Sequence, residues 1–311
     1  MEFDEEMQGK GDGMNTVDFS ASSDRNRERT RRIAVISTYV DGYIFSHLMR
    51  GIENILSEND YAIQMSFTNN SPSRERKALS LLVKTGDIDG LITQTSCGAL
   101  PSLNIDLYRE LQKQGVPIVF FDSIYPELKG EMPLITPDDR AIGREAAKFL
   151  IDAGHKKIGA LFKLDDIQGH LRFAGYQDAL TEAGLEVDTK RIIWFDSYAA
   201  QHLESRWEEI SERLEGCTAV ECYNDEVGGT LERLLIDKGK SVPYDISLTG
   251  VDDAPINRDL PVPLTTFAHP KDILGRKAAE TLMEMINENK PGEDYTYAPE
   301  PVVRESIKKI S

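Results

Sequence analysis

The chain has little of what redox, metal or membrane chemistry requires. Only three of its 311 residues are cysteine, Cys97, Cys217 and Cys222, an odd count without a CxxC pair. That excludes a disulfide framework and a thiolate zinc site, and it fits reduced thiols packed as small apolar side chains in a cytosol. The five histidines, His47, His155, His170, His202 and His269, show no HExxH or related spacing, so neither a metal nor any other cofactor is expected. His47 and His202 on predicted helices, and His155 after a helix-ending glycine, read as surface or capping residues. No run of about 18 apolar residues occurs, which excludes a membrane-spanning helix. The N-terminus, MEFDEEMQGKGDG, lacks the basic and apolar regions of a secretory signal, so a cytoplasmic location is expected.

Positive charge is also scarce. Lys and Arg number 36 against 53 Asp and Glu, a formal net charge of −17. Binding bare DNA takes clustered cations that displace counterions from phosphates, which most of this chain cannot supply. The one basic run, RNRERTRR at residues 25–32, reads as a solvated linker. Nucleotide and hydrolase signatures are missing too. Gly239, Lys240 and Ser241 look like the tail of a phosphate-binding loop, but the earlier glycine is Leu234 and the trio follows a helix, where it makes a C-terminal cap. Gly9, Gly11 and Gly13 lie in a polar leader with no strand or helix beside them. There is no G-x-S-x-G elbow.

What is present is a long alternation of short β-branched runs with amphipathic segments. IAVIS at 33–37, residues 61–67, 90–93 and PIVFFD at 117–122 read as strands, as do 158–162, 192–195, 218–223 and 246–250. Helices are expected between them, at 45–56, 71–84, 105–114, 139–153, 171–182, 200–214 and 226–237. Strands alternating with helices of 10 to 15 residues specify parallel sheets covered on both faces. About nine such units overfill one sheet. The expected fold is therefore α/β, two doubly wound parallel-sheet lobes joined by a multi-strand hinge, with a TIM barrel as the alternative. Residues 1–31 read as a disordered leader. Residues 32–133 with about 268–294 form the first lobe, and 138–264 with about 296–311 the second. Met132–Pro137 marks the break, and the Pro-rich stretch 261–270 a second crossing.

In such a fold, polar groups at strand carboxyl ends face one cleft. Gln94 follows GLIT, Asp122 ends PIVFFD, Asn224 follows AVECY, and Asp252 follows SLTGV. Arg172 opens the helix HLRFAGYQDAL, and His269 sits at the second crossing. Asp and Asn at strand ends also serve as turn formers and N-caps, so each has that second reading. Carboxylates accept from adjacent hydroxyls, Arg donates from a rigid fork, and Asn and Gln do either, which suits a polyol. Tyr43 and Phe45 could cover an apolar sugar face; Phe45 equally fits the buried stripe of its helix. No nucleophile–base pair is evident, so binding without turnover is expected.

The segments IFSHLMRGIENIL, IDGLI, GVPIVFFDS, AAKFLIDAGHKKIGAL, RFAGYQDAL, YNDEVGG, VPYDISLTGVDDA, LTTFAHPKDILGRKAA and PEPVVRES stand in a specific order and spacing. From about Arg32 to Lys308 the chain thereby resembles the effector-binding core of the lactose/galactose repressor family, a core similar to periplasmic sugar-binding proteins. STYVDGYIF, FTNNSP, ERKALSLLV, FKLDDIQG, CYNDE and HPKDILG look like the arabinose-responsive branch of Gram-positive bacteria. The resemblance implies that Arg172, Asn224 and Asp252 hold sugar hydroxyls, and that Gln94, Asp122, Asp166, Gln168 and His269 line the pocket. Phe195 and Tyr198 compete for the place of an aromatic stacking residue. It also implies a cytosolic homodimer, paired through helices at 45–58 and 226–237, that senses L-arabinose or a similar monosaccharide. Operator DNA would be bound only through an N-terminal domain for which residues 1–31 are too short. A sugar-binding protein for uptake and a sugar-processing enzyme are the alternatives.

Overall fold

The computed structural model describes residues 29–40 and 42–310. Most of the expected leader thus lies outside the described residues. The part that is described is held in place: the Thr30 N–H and hydroxyl and the Arg31 N–H all donate to the Asp89 carboxylate, and Arg29 reaches Asn287 and the Ile286 carbonyl. Arg29–Arg32 is therefore docked rather than a free linker, because carboxylate and carbonyl acceptors lie beneath it.

The elements in chain order are β1 (Arg32–Ser37), α1 (Tyr43–Glu58), β2 (Ala62–Phe67), α2 (Pro72–Thr85), β3 (Gly90–Thr93), α3 (Ile105–Lys113), β4 (Ile118–Phe121) and β5 (Leu134–Pro137). Then come α4 (Asp139–Asp152), β6 (Ile158–Lys163), α5 (Ile167–Glu182), β7 (Ile192–Phe195), α6 (Ser197–Ala200), α7 (Trp207–Arg213), β8 (Ala219–Cys222), α8 (Asp225–Asp237) and β9 (Ser247–Thr249). The chain closes with β10 (Thr266–Phe267), α9 (Lys271–Glu288), β11 (Tyr295–Tyr297) and β12 (Pro301–Val302).

One sheet runs β11-β5-β4-β3-β1-β2 and the other β7-β6-β8-β9, with every pairing in both parallel. Buried strands such as β4 (IVFF) and β6 (IGALFK) carry apolar residues on both faces, as a sheet covered by helices on both sides requires. The chain passes between the two sheets after β5, between β9 and α9, and after β11, and the antiparallel pair β10–β12 bridges to β9, so the architecture is two doubly wound lobes with a multi-strand hinge. Leu134–Pro137, expected at the break, is instead the first lobe's β5, and the chain leaves that sheet at Asp138, whose side chain accepts from the Ala141 N–H to cap α4. β11, most of which falls in the stretch from about 296 expected in the second lobe, pairs with β5 of the first.

Two helix pairs pack with their backbones nearly touching. A Cβ on Gly143 of α4 would lie 2.1 Å from the Arg172 carbonyl oxygen, and one on Gly175 of α5 would lie 2.0 Å from that of Arg140. Gly51 of α1 and Gly275 of α9 make the corresponding crossing in the first lobe. The helix expected over 200–214 is broken into α6, a 3-10 turn at Leu203–Arg206, and α7. Asp196 caps α6 through the Ala199 N–H, and Leu203 is pulled wholly into the second-lobe core. His155 also departs from its expected surface position. It is buried, 2.8 Å from the Thr218 hydroxyl and 3.0 Å from the Lys308 carbonyl, and so ties the C-terminal segment to the second lobe.

Candidate functional site

The strand orders fix where a cleft must form. β1 is followed by β2 on one side and β3 on the other, and β6 is likewise flanked by β7 and β8. Each lobe therefore has a topological switch point, where loops diverge and leave a crevice at the strand carboxyl ends. The two crevices face each other across a cavity of about 220 Å3. All ten residues singled out from sequence line it: Tyr43, Phe45, Gln94, Asp122, Asp166, Gln168, Arg172, Asn224, Asp252 and His269.

Arg172 is the centre of the second-lobe wall. Its Nε and Nη2 each lie 2.8 Å from Asp139 Oδ1, Nη1 donates to the Tyr223 carbonyl, and the guanidinium sits 4.8 Å from the centre of the Tyr223 ring. Those bonds use three of the five guanidinium N–H groups, which leaves two for a ligand. Burial pushes the Asp139 carboxyl above its ordinary range in spite of Arg172, because the site is almost free of solvent. Asp252 accepts from the Tyr43 hydroxyl at 2.6 Å and lies 3.9 Å from Arg172 Nη2. Burial first, and then the Asp252 charge, hold the Tyr43 phenol well above its usual range, so it stays a donor.

On the first-lobe side, Gln94 links two strand ends. It accepts from the Thr38 hydroxyl at 2.8 Å and donates to Asp122 Oδ2 at 3.2 Å. His269 Nε2 stands 3.3 Å from Asp122 Oδ1, at ion-pair distance but without the alignment of a hydrogen bond, and its Nδ1 has no partner among the described residues. Burial alone would lower the His269 pKa, yet the Asp122 carboxylate outweighs it and the net direction is upward. Asp122 and Asp252 both adopt positive φ, +58° and +102°, which turns their side chains into the cavity at some backbone cost.

Several expectations need correction. The Asn224 side-chain oxygen accepts from the Val227 N–H and caps α8, which leaves its amide nitrogen and one oxygen lone pair for a ligand. Phe45 stacks edge-on against Phe67, 5.2 Å between ring centres, and lines the cavity half-buried, outside the core. Neither candidate stacking residue reaches the cavity: Phe195 is buried against the edge of Tyr223, and Tyr198 is 75% exposed beside His202. The aromatic walls are Tyr39 and Tyr223, each 5.9 Å from the ammonium of Lys163. Lys163 was not anticipated. It ends β6, is buried, and pairs with Asp166 at 2.6 Å, which outweighs burial and raises its pKa. Its position at a strand end was the available signal, obscured because lysine at a strand end reads as solvated. Asp253, the neighbour of Asp252, pairs with Arg304 and does not line this cavity.

A larger cavity of about 620 Å3 adjoins the first behind Tyr43 and His269. Two pairs of its lining side chains already engage each other, Arg304 with Asp253 and His47 with Asp272, and neither switch point, β1 with β2 and β3 or β6 with β7 and β8, contributes a strand end to its lining. The smaller cavity is therefore the candidate site.

Residues 147–307 match the model of a periplasmic binding protein-like domain. Over 90% of its length the chain is 33% identical to an arabinose metabolism transcriptional repressor of Halalkalibacterium halodurans, covering 76% of that protein. It is 34% identical to the one of Geobacillus stearothermophilus, over 90% of the chain and 78% of the relative. The chain belongs to the LacI family of transcriptional regulators. A LacI-family regulator from Enterococcus faecium solved with bound ribose superposes with a TM-score of 0.75 at 25% identity, over 90% of this chain and all of that one. Among the described residues, no helix is long and apolar enough to cross a membrane, and no His, Cys, Asp and Glu cluster could hold a metal ion.

Proposed function

We propose that this LacI-family core senses a neutral pentose, L-arabinose or a close relative, and passes lobe closure to an attached DNA-binding domain. The observation that carries the reading is the charge balance of the cleft. Arg172 is matched by Asp139, Lys163 by Asp166 and His269 by Asp122, while Asp252 adds a further carboxylate to the lining. Such a wall offers acceptors and directed donors to hydroxyls and repels phosphates and carboxylates. Its volume of about 220 Å3 leaves room for a monosaccharide.

Ligand contacts from both lobes would favour the closed state and, through a homodimer joined by α1 and α8, change operator affinity by differential binding to two states. Calorimetry with a panel of pentoses, hexoses and a pentose phosphate tests the ligand. A neutral pentose should bind at least about a hundredfold more tightly than its phosphate ester, as like charges in a desolvated site imply. Tighter binding of the phosphate would sink the proposal. The chain's near relatives are repressors rather than enzymes, and product analysis after incubation with pentoses and glycosides checks that no turnover occurs here.

A further inference from the structure

The hinge strands join the lobes at one edge: β5 and β11 at one end of the first sheet, β9 at one end of the second. β2 and β7 are the opposite edges, the places that separate most when the lobes open. Asn70 follows β2 and Ser197 follows β7. They meet: Asn70 Nδ2 donates to Ser197 Oγ at 2.8 Å and lies 3.3 Å from both Asp165 Oδ2 and Asp166 Oδ1, all of them second-lobe atoms. The other end of the same amide belongs to the first lobe. Asn70 Oδ1 accepts from the Cys97 N–H at 2.7 Å, and the Asn70 carbonyl accepts from the Cys97 thiol. With its oxygen committed to a backbone donor, the amide cannot flip, and its nitrogen must face the second lobe. The backbone is shaped for this as well, since Asn69 and Asn70 both hold left-handed φ, +50° and +53°. Asn70 is 6% exposed and does not line the ligand cavity.

We infer that Asn70 is a latch at the cleft's free edge, a positioning residue that holds the lobes closed and orients Asp166 without itself touching the ligand. Asp166 carries the coupling. One of its oxygens lies against the latch and the other pairs with Lys163 in the cavity wall. Lobe closure and the geometry of the site therefore share one carboxylate. The latch sets the fraction of protein already closed without ligand, and apparent affinity scales with that fraction. Its effect on affinity rests on the proposal that the cleft binds a pentose; its effect on lobe spacing does not.

The test compares the full chain with Asn70→Gly, Ser197→Ala and the double variant. Glycine keeps the left-handed backbone without strain, and Ser197→Ala removes only the acceptor on the far lobe. Calorimetry with L-arabinose should show about tenfold weaker binding for Asn70→Gly and a smaller loss for Ser197→Ala, as loss of an interlobe hydrogen bond implies. The double variant should be no weaker than Asn70→Gly alone, because the two residues act as one contact. Small-angle scattering of ligand-free protein should give a larger radius of gyration for each variant. A role confined to first-lobe packing through Cys97 would leave Ser197→Ala unchanged in both measurements. Wild-type affinity and wild-type scattering in Ser197→Ala and Asn70→Gly overturn the latch, and if Asn70→Gly fails to fold, Ser197→Ala decides alone. If the wild type binds no pentose, the sugar reading fails while the scattering comparison still judges the latch.

Discussion

Replacing Arg172 with methionine separates two jobs that one side chain performs. Methionine keeps most of the volume but removes the guanidinium, which leaves Asp139 buried with no cation and the Tyr223 carbonyl without its donor. Breaking a buried ion pair from one side costs about 3–5 kcal/mol of folding stability. The lower end applies here, because burial already raises the Asp139 pKa and the carboxyl can take a proton once Arg172 is gone. Loss of the two remaining N–H groups should separately cost about 2–4 kcal/mol of ligand binding, roughly 30- to 900-fold in affinity. Adding Asp139→Asn removes the orphaned charge, so urea unfolding of the double variant should recover about 2 kcal/mol or more, while calorimetry should show no recovery of affinity. Two results would refute the reasoning. One is an unfolding midpoint for Arg172→Met equal to wild type. The other is a return of sugar affinity with Asp139→Asn, which would mean that Arg172 shapes the site and does not contact the ligand.

Gly143→Ala should destabilise the second lobe by about 1–3 kcal/mol in denaturant unfolding, because the new methyl meets the Arg172 backbone at 2.1 Å and must push α4 off α5; unchanged stability would show that the crossing has slack. Lys163→Met should weaken pentose binding about tenfold in calorimetry by freeing the Asp166 charge, with partial recovery on adding Asp166→Asn; undiminished affinity would remove Lys163 from the site. Asp225 is buried at the start of α8, and burial pushes its pKa up to about 7 although Thr266, the Ala254 N–H and Asn257 all donate to it. A raised acid stabilises the fold below its unfolded pKa, near 4, and that contribution fades as pH rises through about 7. The change is on the order of 4 kcal/mol. Urea unfolding from pH 4 to 8 should show this slope in wild type and lose it in Asp225→Asn; parallel curves would mean that the three donors overcome burial.

Much of the fold was legible because the relevant signal is local. The β-branched runs that became β1, β3, β4 and β6 carry no alternation, and that marks strands buried on both faces, hence parallel sheets and a cleft at their carboxyl ends. Gln94, Asp122, Asn224 and Asp252 were found by the same rule, since strand-end position is a property of sequence. The broken segment at 197–213 and the true boundary at Asp138 were not legible. Their helical and strand propensities are ordinary, and the outcome turned on where Leu203 and Leu134–Pro137 could be packed or paired.

What the sequence by itself determined, then, is the order of elements, the two-lobed class and the polar residues at the strand ends of the cleft, because these follow from periodicity and strand ends. Only the tertiary structure decided how those residues are used. Arg172 against Asp139, Lys163 against Asp166 and Asn70 against Ser197 join residues 33, 3 and 127 positions apart. Even the shortest of these pairs takes its meaning from what surrounds it. A lysine three residues from an aspartate is commonplace on a surface and becomes part of a site only when two lobes close around it and exclude water. The same holds for Gly143 and Gly175, unremarkable in sequence and indispensable where two helices cross at backbone contact.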